Sequence, residues 1–90
     1  MSVKVKIHKT HRQYTDGLEV VEVEGKTVGD CLRHLVQKFP PLKEVLFDKK
    51  GRLLNVMEVY LNSESTYPEE LAKKVRDGDE IQIIVMLAGG

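Results

Sequence analysis

The sequence predicts an α+β fold: a mixed sheet of about four to five strands with one main helix packed on one face. Three observations carry this reading. "VKVKIH" at 3–8 alternates strictly, with Val3, Val5 and Ile7 on one face and Lys4, Lys6 and His8 on the other. Residues 28–39 carry an apolar stripe at helical spacing, closed by Pro40-Pro41. The run "IQIIVMLA" at 81–88 is almost continuously apolar, the pattern of a central strand with both faces at least partly covered.

The elements follow in order. The first strand gives way to a polar loop, "HKTHRQYTDG", ending in the Asp16-Gly17 turn signal. "LEVVEVEG" at 18–25 is a second strand whose phase slips once, and a bulge near Val20–Val21 accounts for the slip. Glu22 and Glu24 are expected across from Lys4 and Lys6 in an antiparallel hairpin. Thr27 is a suitable N-cap, with Asp30 three residues on as a weak capping box. Val28, Cys31, Leu32, Leu35, Val36 and Phe39 share the apolar face of the helix that follows. "LKEVLFDKKGRL" holds a short apolar patch readable as a helical turn or a short strand. "NVMEVYLN" at 55–62 is the third strand, with Met57, Val59 and Leu61 on one face and Val56, Glu58 and Tyr60 on the other. "STYPEELAKKV" holds a short helical turn with Leu71 and Val75 directed inward, and "RDGDE" is a tight turn before the last strand.

Composition bounds the function. Ninety residues allow one small domain, so 1–90 reads as a single unit with a flexible tail at 88–90. Lys plus Arg equals Asp plus Glu at 14 each, without the basic excess of a general nucleic-acid binder. The basic stripe in residues 1–12 lacks interleaved aromatics and reads as a solvated strand face. Cys31 is the only cysteine, which excludes an internal disulfide and a cysteine-ligated cluster. It reads as a small buried hydrophobe. His8, His11 and His34 lack metal-ligand spacing, and no phosphate-binding glycine loop or Ser/His/Asp set is present. No apolar stretch has the length of a signal peptide core or a membrane span, and a cytoplasmic setting is expected.

The most apolar strands are the first and the last. They are expected to pair in parallel at the sheet centre with the helix across one face, which is the β-grasp arrangement. The other sheet face is left without an internal partner. The last strand then runs into Gly89-Gly90, and a terminal glycine pair arises by chance in under roughly 1% of chains.

The C-terminal third resembles the MoaD/ThiS family of ubiquitin-like sulfur carrier proteins. The resemblance rests on the strand Val59–Asn62, the turn Asp77–Glu80 and the terminal Ala88-Gly89-Gly90. The long middle segment and "YLNSES" resemble carriers serving cysteine biosynthesis. The absence of prolines before the tail departs from many MoaD proteins of molybdenum cofactor biosynthesis.

The resemblance implies a chemistry. An E1-like adenylating enzyme of the MoeB/ThiF kind uses ATP to activate the Gly90 carboxylate, and a sulfur donor converts it to a thiocarboxylate. A downstream synthase then takes the sulfur. The chain is then a carrier, or the small subunit of a complex such as molybdopterin synthase, and not an enzyme by itself. It binds no cofactor or metal of its own, and no nucleic acid or membrane. Ala88 and Gly89 thread the tail, since glycine has no Cβ to clash in a narrow channel. Val56, Tyr60, Ile84, Met86 and Leu87 on the open sheet face dock the partners. The alternative with the same tail is a ubiquitin-like modifier joined to lysines through Gly90.

Overall fold

A computed structural model of the chain describes residues 2–86. Five strands form one sheet in the order β2-β1-β5-β3-β4. They are β1 (Ser2–Lys6), β2 (Val20–Glu24), β3 (Met57–Leu61), β4 (Glu64–Ser65) and β5 (Glu80–Val85). Two helices join them, α1 (Val28–Lys38) and α2 (Leu42–Leu46). β1 and β5 pair in parallel, with Lys4 beside Glu80 and Lys6 beside Gln82. β5 is the central strand, and this is the β-grasp arrangement expected from the element order.

The alternation in β1 translates directly into burial. Val3 and Val5 are fully enclosed, as are Val59 and Ile81 in the strands beyond. They meet Val28, Cys31, Leu32 and Leu35 from α1 and Leu42 and Leu46 from α2 in one continuous core. Each side chain of this size stabilises the fold by roughly 1.5–3 kcal/mol on full burial.

The helix begins where its capping residues say it should. Thr27 Oγ1 accepts a hydrogen bond from the Asp30 N–H at 3.1 Å. The Asp30 carboxylate accepts from the Lys26 N–H at 3.3 Å, one residue before the cap, and from Arg33 at 2.9 Å. Beyond Pro40-Pro41 the ambiguous "LKEVLF" segment takes both candidate forms in succession. It makes the single turn of α2, and Phe47 then bridges Leu53 in the antiparallel sense.

Three expectations need correction. The hairpin register runs unbroken from Ser2↔Glu24 to Lys6↔Val20, so β2 contains no bulge. The phase slip disappears because the strand starts at Val20, while Leu18 belongs to the turn and donates its N–H to the Thr15 carbonyl at 3.0 Å. Leu18 and Val20 stay 47% and 44% exposed. The charge pairing shifts accordingly: Glu22 faces Lys4, but Glu24 faces Ser2, and Lys6 reaches Glu80 at 3.6 Å instead. The polar loop after β1 is also ordered. Residues Lys9–Tyr14 form a 3₁₀ helix capped by His8, and His11 is buried beneath it.

Candidate functional site

The candidate site is the open sheet face at the C-terminal end of β5. β3 and β5 pair antiparallel, with Glu58 beside Ile84 and Tyr60 beside Gln82. Ile81, Ile83 and Val59 point into the core, so the alternation of the pleat turns Ile84, Glu58 and Tyr60 to the opposite face. The Met86 N–H donates to the Val56 carbonyl at 2.7 Å, which extends the ladder one step past β5. Four of the residues expected to dock partners, Val56, Tyr60, Ile84 and Met86, therefore form one strip. Val56 and Met86 are 42% and 44% exposed, while Tyr60 and Ile84 are half-buried. The remaining candidates Leu87, Ala88, Gly89 and Gly90 lie outside the described residues.

The strip has charged borders. Lys4 and Lys6 from β1 flank Glu80 on one side. Glu58, accepting a 2.8 Å hydrogen bond from Ser65 Oγ, stands on the other.

Two of the three sequence segments that carried the family resemblance, Val59–Asn62 and Asp77–Glu80, touch each other. Asn62 and Ser63 turn the β3–β4 hairpin with φ of 50° and 70°, both left-handed. Asparagine tolerates that conformation better than most residues. The Asn62 side chain donates to Asp79 Oδ1 and accepts from the Glu80 N–H, both at 3.0 Å. Its own N–H donates to the Glu80 carbonyl at 2.8 Å. Asp79 also accepts from the Arg76 N–H at 2.7 Å. The Asn62 hydrogen bond first, and the Arg76 backbone second, hold the Asp79 carboxyl below the usual carboxylate range.

The same turn is tied to the N-terminus of the chain. Ser2 donates to Asp77 Oδ1 at 2.8 Å, and the Gly78 N–H donates to the Ser2 carbonyl at 2.8 Å. Gly78 adopts φ +86°, where a side chain is strained. The "DGDE" segment is thus turn chemistry that fixes the start of β5 against both neighbouring strands.

The described residues offer little for catalysis. Cys31 is fully enclosed, and burial, followed by the Asp30 charge, pushes its thiol up to about 11, so it stays protonated and unreactive. Burial and then the neighbouring His8 hold the His11 imidazole below its ordinary value. Among the described residues no group of three His, Cys, Asp or Glu side chains is placed to hold a metal ion. No helix among them is long and apolar enough to cross a membrane. The residues that sequence reasoning missed at this end of the domain are Leu53, Leu54 and Tyr67. They lie in irregular segments with no periodicity to reveal them, although Tyr67 is 75% exposed.

The model of the ThiS family matches residues 5–90. The chain belongs to the ThiS family. The sulfur carrier protein CysO of Mycobacterium tuberculosis is 31% identical over 93 residues, spanning the whole of both chains. CysO in the crystal structure of the Amycolatopsis orientalis BexX/CysO complex superposes with a TM-score of 0.88 at 30% identity, covering 98% of this chain and 99% of that one. SAMP1 from Haloferax volcanii superposes with a TM-score of 0.86 at 28% identity over the full length of both. The MoaD/ThiS resemblance drawn from "VYLN", "DGDE" and the diglycine is therefore correct, and so is the ubiquitin-like β-grasp fold.

Proposed function

We propose that this chain is a sulfur carrier protein whose reactive group is the carboxylate of Gly90. The observation that carries this reading is the match to the CysO sulfur carriers over the whole of both chains. A Gly90 carboxylate oxygen attacks the α-phosphorus of ATP in an E1-like adenylating enzyme, releasing pyrophosphate and leaving an acyl-adenylate. A sulfur donor then attacks the acyl carbon and displaces AMP, so that one carboxylate oxygen is replaced by sulfur. The adenylate is needed because oxide is a poor leaving group and AMP a good one. A downstream synthase takes the sulfur, and water restores the carboxylate.

The chain supplies no base, metal or cofactor to these steps. Ala88 and Gly89 carry Gly90 through the narrow entry of the enzyme. The strip of Val56, Tyr60, Ile84 and Met86, with Leu87 beyond it, docks the enzyme body. An exposed apolar strip beside a tail suits this task, and methionine adapts to successive partners. Ile84→Asp is expected to raise the KM of adenylation while the domain stays folded; loss of the fold instead would remove the docking role. The sulfur serves cysteine or another thio-metabolite, or molybdopterin with the chain as the small subunit of the synthase.

The test is intact-protein mass spectrometry after incubation with ATP, the adenylating enzyme and sulfide, with half the sample alkylated. A variant lacking Gly89-Gly90 is the control. One oxygen-for-sulfur exchange, mapped to Gly90 and adding one alkylation site over the control, is expected. Alkylation separates it from methionine oxidation, which adds nearly the same mass. The likeness to SAMP1, a small archaeal modifier protein, favours a second reading in which Gly90 is joined to lysines. Adenylation without sulfur gain, together with high-mass conjugates of this chain, is the result that selects it.

A further inference from the structure

Beside Met86 the surface sinks into a trough of about 380 Å³. Leu53, Leu54, Tyr67 and Met86 line it, and Glu58 and Glu70 contribute the carboxylates. Three of the five large hydrophobic side chains left most exposed among the described residues, Val56, Tyr67 and Met86, gather at this end of the domain. Tyrosine and methionine are the residue types enriched at the centres of protein interfaces.

The charge here is one-sided. In the adjoining hollow Arg52 pairs with Asp48 at 3.3 Å, and nearby Lys73 pairs with Glu69 at 3.8 Å. Glu58 and Glu70 have no cationic partner among the described residues. An apolar floor with two uncompensated carboxylates is complementary to an apolar side chain flanked by lysine or arginine.

We propose that this trough is a second contact for the adenylating enzyme, receiving a segment in which an apolar anchor stands beside one or two basic residues. This deepens the carrier reading and rests on it. Met86 belongs both to the trough and to the sheet strip, so an enzyme seated on the strip reaches the trough without a break. Gripping Leu53, Leu54 and Tyr67 on one side of Met86 and Ile84 on the other fixes Met86, four residues before Gly90. It thereby sets the direction in which the tail enters the ATP site. The trough contributes binding in the ground and transition states alike, so its loss appears in KM.

The test is carrier-dependent ATP–pyrophosphate exchange by the MoeB/ThiF-like enzyme of the same genome, using the full chain. Tyr67→Ala, and Glu58→Lys with Glu70→Lys, are expected to raise the KM for the carrier about tenfold with kcat within about twofold. Glu58→Gln with Glu70→Gln is expected to flatten the dependence of KM on ionic strength. Tyr67 is 75% exposed, so its truncation leaves the fold intact, and the amide spectrum of the variant checks this. Wild-type KM in these variants, alongside a raised KM for Ile84→Asp, would overturn the trough contact and leave the carrier reading standing. Absence of exchange with the wild-type chain would remove both.

Discussion

Asn62→Ala is the perturbation that best tests how the domain holds β5 in place. Asn62 makes two side-chain hydrogen bonds, to Asp79 Oδ1 and from the Glu80 N–H, each 3.0 Å long. It also occupies a left-handed conformation at φ 50°. Alanine removes both bonds and adds backbone strain. Each bond is solvent-accessible, which places it near the lower end of the range at about 0.5–1 kcal/mol. The left-handed conformation costs alanine about 1 kcal/mol more than a tolerant residue. The expected loss is therefore about 2–3 kcal/mol, read from urea unfolding monitored by circular dichroism. Asn62→Gly separates the two effects, because glycine keeps the turn and loses only the bonds; it is expected to cost about 1–2 kcal/mol. A second readout is the Asp79 carboxyl. Asn62 is the first cause of its lowered value, so its titration by NMR should move up toward the ordinary carboxylate range in both variants. Stability within about 0.5 kcal/mol of wild type, or an unmoved Asp79 titration, would refute the clasp.

Three further outcomes follow from the packing. The folded His11 imidazole titrates below its ordinary value of 6.5, so below that pH the unfolded chain binds more protons than the folded one. The stability tied to His11 is fully present above the unfolded value and is lost as pH falls toward the folded one; His11→Gln should flatten unfolding free energy against pH in that window. Cys31, with its thiol raised to about 11 and no exposed surface, should alkylate at pH 8 roughly a hundredfold more slowly in the native protein than in urea, measured by mass spectrometry. At Gly25 a Cβ would stand 2.7 Å from Asp30 Cβ and 2.8 Å from the Cys31 nitrogen, so Gly25→Ala forces the loop off α1. A loss of about 1–3 kcal/mol in urea unfolding is expected, and no loss would show that the loop relaxes freely.

Where local chemistry decides structure, the sequence was readable. Thr27, Asp30 and Pro40-Pro41 delimit α1 because capping and proline act within one turn of the chain. Val3, Val5 and Val59 revealed the inner sheet face because alternation needs no distant partner to be seen. The apolar surface strip was legible for the same reason, since Ile84 and Tyr60 are simply the other phase of core strands. What was not legible depends on contacts between distant segments. Leu18 reads as part of the second strand, and only the register with β1 starts that strand at Val20. Asn62 and Asp79 were recognised as a family pattern without their reason, which is a bond across 17 residues. Leu53, Leu54 and Tyr67 meet only because the segments before β3 and after β4 come together beside Met86. The 3₁₀ helix at Lys9–Tyr14 is too short to establish a period.

The parallel pairing of β1 with β5 has a consequence for how the protein is made. β1 is laid beside β5, with Lys4 against Glu80, so the sheet centre closes the longest loop between paired strands, and such non-local pairings form slowly. During translation β1 and β2 can form a hairpin early, yet α1 has no complete sheet to cover until β5 has left the ribosome. Until then Val3, Val5 and the inner face of α1 are exposed to chaperones and proteases. A nascent chain cut short before β5 lacks both its keystone strand and anything downstream of it. Folding competence thus comes only once β5 is available, and the ordinary disposal of unfolded chains removes products that lack it.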